Sequence, residues 1–182
     1  LMPQVEEVKE KGYEILYLTD YADEFVVQVL QNYDNKKFVN VASSEVNLEN
    51  EEEKKEVEKL NTESKDLLDK MKDVLKDKVT SVKFTNSLKK HPVCLTSEGA
   101  ISTGMEKVLN SMPTNEKVKA STVLSINASH PIAKKIKELY KTNPEEIEKY
   151  TKILYAQAKL IEGLTLDNPS EISDLICEAL SK

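Results

Sequence analysis

The sequence predicts an α+β protein in two parts. Residues 1–50 form a small α/β unit, and residues 51–182 form an α+β domain ending in a helical hairpin. Three observations carry this. A strand–helix–strand pattern opens the chain. Three strand-like segments follow a long amphipathic helix. The last forty residues repeat one helix-opening chemistry, Asn-Pro-x-Glu, at Asn143 and Asn168.

The elements follow in order. Residues 1–11 have the character of a tail, and Met2 is not first, so the chain reads as a piece of something longer. Residues 13–18 are a short apolar run without polar alternation, which fits a strand buried on both faces. Thr19 and Asp20 offer a helix cap, and Phe25, Val26, Val29 and Leu30 mark one face of a helix through about Asn32. Asp34-Asn35 is a turn signal, and residues 37–41 read as a second strand. Residues 49–58 are acidic with interleaved lysines and read as a solvated linker entering an exposed helix. Val57, Leu60, Leu67, Leu68, Met71, Val74 and Leu75 then define a long helix ending near Asp77. Residues 79–88, 93–95 and 123–126 are strand-like and suit a small antiparallel sheet packed on that helix. Pro131 opens another helix, with Ile132, Ile136 and Leu139 facing inward.

Between the second and third of these strands, Ile101, Met105, Val108, Leu109 and Met112 share one helical face. Gly99 and Gly104 weaken that helix by about 1 kcal/mol each where interior, and Pro113 stops it. Residues 114–121 are polar and loop-like. A marginal, methionine-rich helix suits adaptable binding, but pattern alone favours an ordinary core helix.

In the terminal hairpin, Asn143 and Asn168 are placed to cap. Pro144 and Pro169 take the first helical position, and Glu146 and Glu171 the third. Gly163 is a left-handed stop. Ile147, Tyr150, Leu154, Ala158 and Ile161 line one face of the first helix; Ile172, Leu175, Ile176, Ala179 and Leu180 line the second. The pair packs on its own domain or on a second copy as a four-helix bundle across a two-fold axis. About ten such side chains, at about 1.5–3 kcal/mol each when fully buried, would offset association costs of about 4–15 kcal/mol.

The chain has 182 residues, a net charge of −6, 39% hydrophobic and 32% charged residues. An acidic balance argues against nucleic acid as partner. No apolar run reaches the length of a membrane span. With four glycines there is no phosphate-cradling or dinucleotide motif. Neither Cys94 nor Cys177 has a zinc-type neighbour; both read as buried small hydrophobes in a reduced compartment. His91 and His130 each precede a proline, lack a nucleophile or ligand partner at useful spacing, and read as structural. No catalytic, cofactor or metal site is expected from these residues.

Several motifs resemble a known family. Lys11-Gly-Tyr-Glu-Ile-Leu-Tyr-Leu-Thr-Asp20, Asp23-Glu-Phe25 and Lys36-Lys-Phe-Val-Asn-Val41 look like the end of the middle domain of the heat-shock protein 90 chaperones. Leu124-Ser-Ile-Asn-Ala-Ser-His-Pro-Ile132 is similar to the family's Leu-x-x-Asn-Pro-x-His-Pro element, with Ala128 in place of proline. Leu154-Tyr-Ala-Gln-Ala-Lys-Leu-Ile-Glu-Gly163 and Leu166-Asp-Asn-Pro169 resemble the opening of its dimerisation hairpin.

The chain as a whole thus resembles the C-terminal third of the bacterial type. The resemblance implies the end of a middle domain over 1–50 and a C-terminal dimerisation domain over 51–182. It implies a homodimer through the ten hairpin residues named above, in an intermolecular four-helix bundle. It assigns the face of Ile101, Met105, Val108, Leu109 and Met112 to unfolded client proteins. It further implies a dimerising, client-contacting part of an ATP-dependent folding chaperone in the bacterial cytoplasm. The part itself would lack the ATPase site and hold no cofactor, ATP and magnesium belonging to the N-terminal domain of the longer protein. The ending Leu180-Ser-Lys182 lacks the Met-Glu-Glu-Val-Asp tail of cytosolic eukaryotic members. A stand-alone dimeric adaptor for one folded partner is the alternative, and a hydrolase using either histidine is a third.

Overall fold

A computed structural model describes residues 3–20, 22–43, 48, 50–99, 101–113 and 118–181. Its centre is a three-stranded sheet of β3 (Ser81–Thr85), β4 (Val93–Glu98) and β5 (Ser121–Asn127) in the order β3-β5-β4. β3 runs parallel to β5 and β4 antiparallel to it, so the sheet is mixed where an antiparallel one was expected. Periodicity reports which residues face inward and carries no information on strand order.

Helices cover this sheet. The expected single helix over residues 57–77 is two, α3 (Glu51–Glu63) and α4 (Lys65–Leu75), meeting at Ser64 and followed by a 3-10 turn, Lys76–Lys78. Asn50 caps α3 in a full capping box: its side chain accepts from Glu52 and Glu53 amides, and Glu53 accepts the Asn50 amide at 2.9 Å. α6 (Pro131–Thr142) and α7 (Glu146–Ile161) complete the cover. Leu67, Met71, Phe84, Leu124, Ile126, Ile136, Ile147, Leu154 and Ala158 form the shared core.

The opening departs from expectation. Residues 13–18 form no strand; Tyr13, Leu16, Tyr17 and Leu18 are exposed. No described strand stands beside them to complete a ladder, and an unpaired run has no reason to extend and bury. The second expected strand shrinks to β2 (Lys36–Lys37), which pairs with β1 (Asn32–Tyr33) in a tight hairpin. Asp34 and Asn35 turn it with φ of 48° and 60°, the left-handed values such a turn needs. α1 (Val5–Glu10) and α2 (Asp23–Leu30) flank the region. α1 is docked: Val5 and Val8 are buried, and Gln4 Nε2 donates to the Leu95 carbonyl at 2.9 Å.

The expected architecture is therefore corrected. The strand–helix–strand layer read as the end of a middle domain is absent among the described residues. They form a small α/β arrangement around one mixed sheet. The hairpin read as half of an intermolecular four-helix bundle has its first helix inside this core. Ile147, Leu154 and Ala158 are 0%, 3% and 0% exposed, covered by their own chain. The loop expected over 114–121 lies at 114–117 outside the described residues.

Candidate interaction surfaces

α8 (Pro169–Leu180) is the element the core does not absorb. Its start follows the expected chemistry. Asn168 caps it by accepting the Glu171 amide at 3.3 Å, and Pro169 occupies the first turn. α7 begins differently: Asn143 closes α6, and Glu145 precedes α7 without a side-chain cap. Gly163 ends the helix as expected, at φ 65°, with the Leu164 amide donating back to the Lys159 carbonyl at 2.8 Å.

Ion pairs hold α8 to α7. Lys149 meets Glu178 at 3.6 Å, Lys152 meets Glu171 at 3.2 Å, and Lys159 meets Asp167 in the connection at 3.0 Å. Hydrogen bonding to Lys159 holds the Asp167 carboxyl below the usual carboxylate range. Bonds to Glu148 and then Glu171 raise the Lys152 ammonium.

No residue of α8 is buried. Ile172, Leu175 and Ala179 are half-covered, Ile176 is 40% exposed and Leu180 81%. On α7, Tyr150 and Ile161 are half-buried and Leu160 is exposed. The ten hairpin residues thus divide. Three belong to the core, and the α8 set with Tyr150 and Ile161 keeps surface to offer. Cys177, expected buried, is exposed on α8.

α5 (Thr103–Ser111) carries the second expected surface. Ser102 caps it by accepting the Met105 amide at 3.0 Å, and its hydroxyl donates to Glu24 of α2. A Cβ at Gly104 would stand 2.9 Å from the Glu24 carboxylate, which would have to swing aside to admit it. Gln28 Nε2 donates to Met105 Sδ at 2.9 Å, and Lys107 Nζ to the Glu162 carbonyl at 2.8 Å. Met105 is buried, Ile101, Val108 and Leu109 are half-buried, and Met112 is 44% exposed. The face is partly docked and partly open. Sequence reasoning missed Glu24 and Gln28, because contacts across about 80 residues leave no local signal.

The remaining titratable groups are structural. His130 caps α6, its Nδ1 accepting the Ile132 amide at 3.2 Å. His91 Nδ1 lies 3.2 Å from Glu6. Burial works to raise the Glu6 carboxyl; the Lys90 and Lys89 amides and His91 outweigh it and lower it. Burial pushes the Cys94 thiol up to about 12, so it is inert. Burial also raises Glu162, opposed by the bond from Gln4. Among the described residues no cluster of His, Cys, Asp or Glu could hold a metal ion, and no helix is long and apolar enough to cross a membrane.

Comparison with known proteins adds identity to this geometry. The family model "Hsp90 protein" matches residues 1–182. "Chaperone protein HtpG" of Alkaliphilus oremlandii is 46% identical over 179 residues, covering 98% of this chain and 29% of the relative. The proteins of that name from Clostridium botulinum (strain Loch Maree) and Bacillus subtilis are 46% and 41% identical over the same shares. The chain thus spans 29% of the length of the relatives it matches.

These findings correct three expectations. A match over the whole chain and 29% of its relatives establishes a chaperone family; the assignment to that family's C-terminal third does not rest on it and is replaced by the family alone. The statement that the chain lacks an ATPase site is withdrawn, because membership in an ATP-dependent family removes the ground for excluding one. The statement that it holds no nucleotide or magnesium is withdrawn for the same reason.

Proposed function

Because the chain belongs to the Hsp90 protein family, we propose that it serves a molecular chaperone by self-association through α8 and by contact with unfolded clients through α5. The observation that carries this is α8 itself, a capped helix none of whose residues is buried and which presents Leu175, Ile176 and Leu180 outward from the core. A second copy placing the same face against it across a two-fold axis would cover both at once. Tyr150 and Ile161 of α7 border this face. A tether of this kind keeps two protomers at an effective concentration of about millimolar, so that weak contacts elsewhere in a longer chaperone become intramolecular.

On α5, Ile101, Val108, Leu109 and Met112 supply apolar contact, with Met105 as the anchor that docks the helix. Thioether and aliphatic groups repack against varied partners, which suits clients defined by exposed apolar segments. ATP use, stress protection and residence in the bacterial cytoplasm follow from the family as expectations for the whole protein. The division into units 1–50 and 51–182 stands on the same footing.

The test is molar mass by light scattering across a dilution series. A dimer persisting at low micromolar concentration supports the reading; a strict monomer overturns the self-association.

A further inference from the structure

The apolar stripe of α5 is closed at its centre and open at its ends. Ile101, Val108 and Leu109 are half-buried and Met112 is exposed, whereas Met105, in the middle, is buried. A polar side of α2 lies against it. Glu24 and Gln28 stand four residues apart, hence on one helix face. Glu24 accepts the Ser102 hydroxyl at the start of α5, its carboxylate stands beside Gly104, and Gln28 Nε2 donates to Met105 Sδ at 2.9 Å. A thioether sulfur is a weak acceptor and a carboxylate a strong one, so Glu24 carries most of this contact.

α2 is held lightly, and α5 is held without it. No residue of α2 is buried, no side chain caps its start, and Val26, Val29 and Leu30 are exposed. The chain leaves it through Gln31 at φ 56°, a left-handed value that strains a residue with a side chain. α5 has separate anchors. Lys107 donates to the Glu162 carbonyl at 2.8 Å, Glu106 accepts the Ala120 amide at 2.8 Å, and Ser97 accepts the Thr103 amide at 3.1 Å. Withdrawal of α2 therefore uncovers Met105 with α5 still in place.

We propose that α2 is an autoinhibitory clasp on α5. Closed, it keeps the stripe interrupted at Met105; withdrawn, it joins Ile101, Met105, Val108, Leu109 and Met112 into one continuous apolar face. That this face then takes an unfolded client rests on the function proposed above. The competent form is the open one, so apparent affinity is reduced by the fraction of molecules in it. Loss of one hydrogen bond to a charged group moves such an equilibrium by about tenfold or more.

The experiment is peroxide oxidation of the whole chain read by peptide mass spectrometry, beside an anisotropy titration with fluorescently labelled, reduced and carboxymethylated lactalbumin. Methionine oxidation follows exposure, and the chain supplies its own references, Met71 at 0% exposed and Met112 at 44%. Glu24→Ala with Gln28→Ala keeps good helix formers in α2 and should raise the Met105 rate about tenfold, with Met71 and Met112 unchanged. Gly104→Ala reaches the clasp from the other side. Its Cβ displaces the Glu24 carboxylate, and alanine favours α5, so Met105 should react severalfold faster at a melting temperature no lower than before. Client affinity should rise in both variants, by no more than the Met105 rate, since both report one open fraction. An unchanged Met105 rate in either variant overturns the proposal. So does a parallel rise at Met71 in the double variant, which would make α2 part of the fold. Met105 opening with no gain in client binding supports the clasp and overturns the reading of α5 as the client surface.

Discussion

Leu180→Asp isolates the α8 surface from the fold. Leu180 is 81% exposed, so the core loses little when it changes. Full burial of a leucine contributes about 1.5–3 kcal/mol. Covering the exposed four-fifths in a pair contributes about 1.2–2.4 kcal/mol per protomer, and twice that in a two-fold interface. The substitution should thus cost the dimer about 2.4–4.8 kcal/mol, a rise in dissociation constant of about 50- to 3000-fold. Two aspartates facing each other add repulsion, making this a lower bound. The folded protomer should lose only the unfavourable placement of an acid at a helix C-terminus, about 0.3–1 kcal/mol. The assay is sedimentation equilibrium beside a thermal melt. A lower mass at unchanged melting temperature is expected. An unchanged mass would refute the reasoning, and so would a collapse of the fold, since that would place Leu180 in the core. Ile176→Asp, at 40% exposure, should act in the same direction with a smaller effect on mass and a larger one on stability.

Met105→Ala should cost about 2–5 kcal/mol, because Met105 is buried, whereas Met112→Ser should leave the melting temperature unmoved and weaken binding of a reduced, unfolded client; equal melts for the two would show that α5 is not docked as described. Glu162→Gln should raise the melting temperature at pH 7. Burial raises this carboxyl in the fold, so its stabilising contribution is complete below the unfolded value near 4.5 and is lost as pH rises through the folded value. The amide keeps an acceptor for Gln4, and the gain should vanish in melts below pH 4.5. The opposite sign holds for Asp167: its carboxyl is depressed, so its contribution is present above 3.8 and is lost as pH falls through the folded value, which near-ultraviolet dichroism of Tyr155 should follow. Gly163→Ala should destabilise by about 1–2 kcal/mol in urea titration, since φ is 65° and the Cβ itself meets nothing closer than Lys107 at 3.8 Å; a neutral result would mean the turn relaxes.

Legibility in the sequence followed the range of the interactions involved. Asn168-Pro169 with Glu171, Gly163, Pro131 and the Asp34-Asn35 turn are local chemistry, complete within a few residues, and each was readable. Asn143-Pro144 shows the same letters and a different outcome, because Asn143 was already committed to ending α6. The apolar run at 13–18 carries strand propensity with no described strand to pair with, and propensity without a partner does not bury. The parallel pairing of β3 with β5, and the hold of Glu24 and Gln28 on α5, depend on residues about 40 and 80 positions apart. Periodicity shows that Ile147 and Ile176 are both apolar. It does not show that the first is enclosed by its own chain and the second is left at the surface.

The parallel pairing bears on the order in which the sheet assembles. Thr80 bonds to Thr122 across 42 residues, while β4 and β5 close around α5 with Glu98 opposite Ser121, about half that separation. Each doubling of a closed loop adds only about 0.6 kcal/mol of chain entropy, so the difference is small in equilibrium terms. It still ranks the events. The β4–β5 pair should therefore form first, with β3 joining the free edge of β5 afterwards. Substitutions along β3 should then accelerate unfolding more than they slow refolding, leaving the lifetime of the folded sheet in the keeping of its outermost parallel strand.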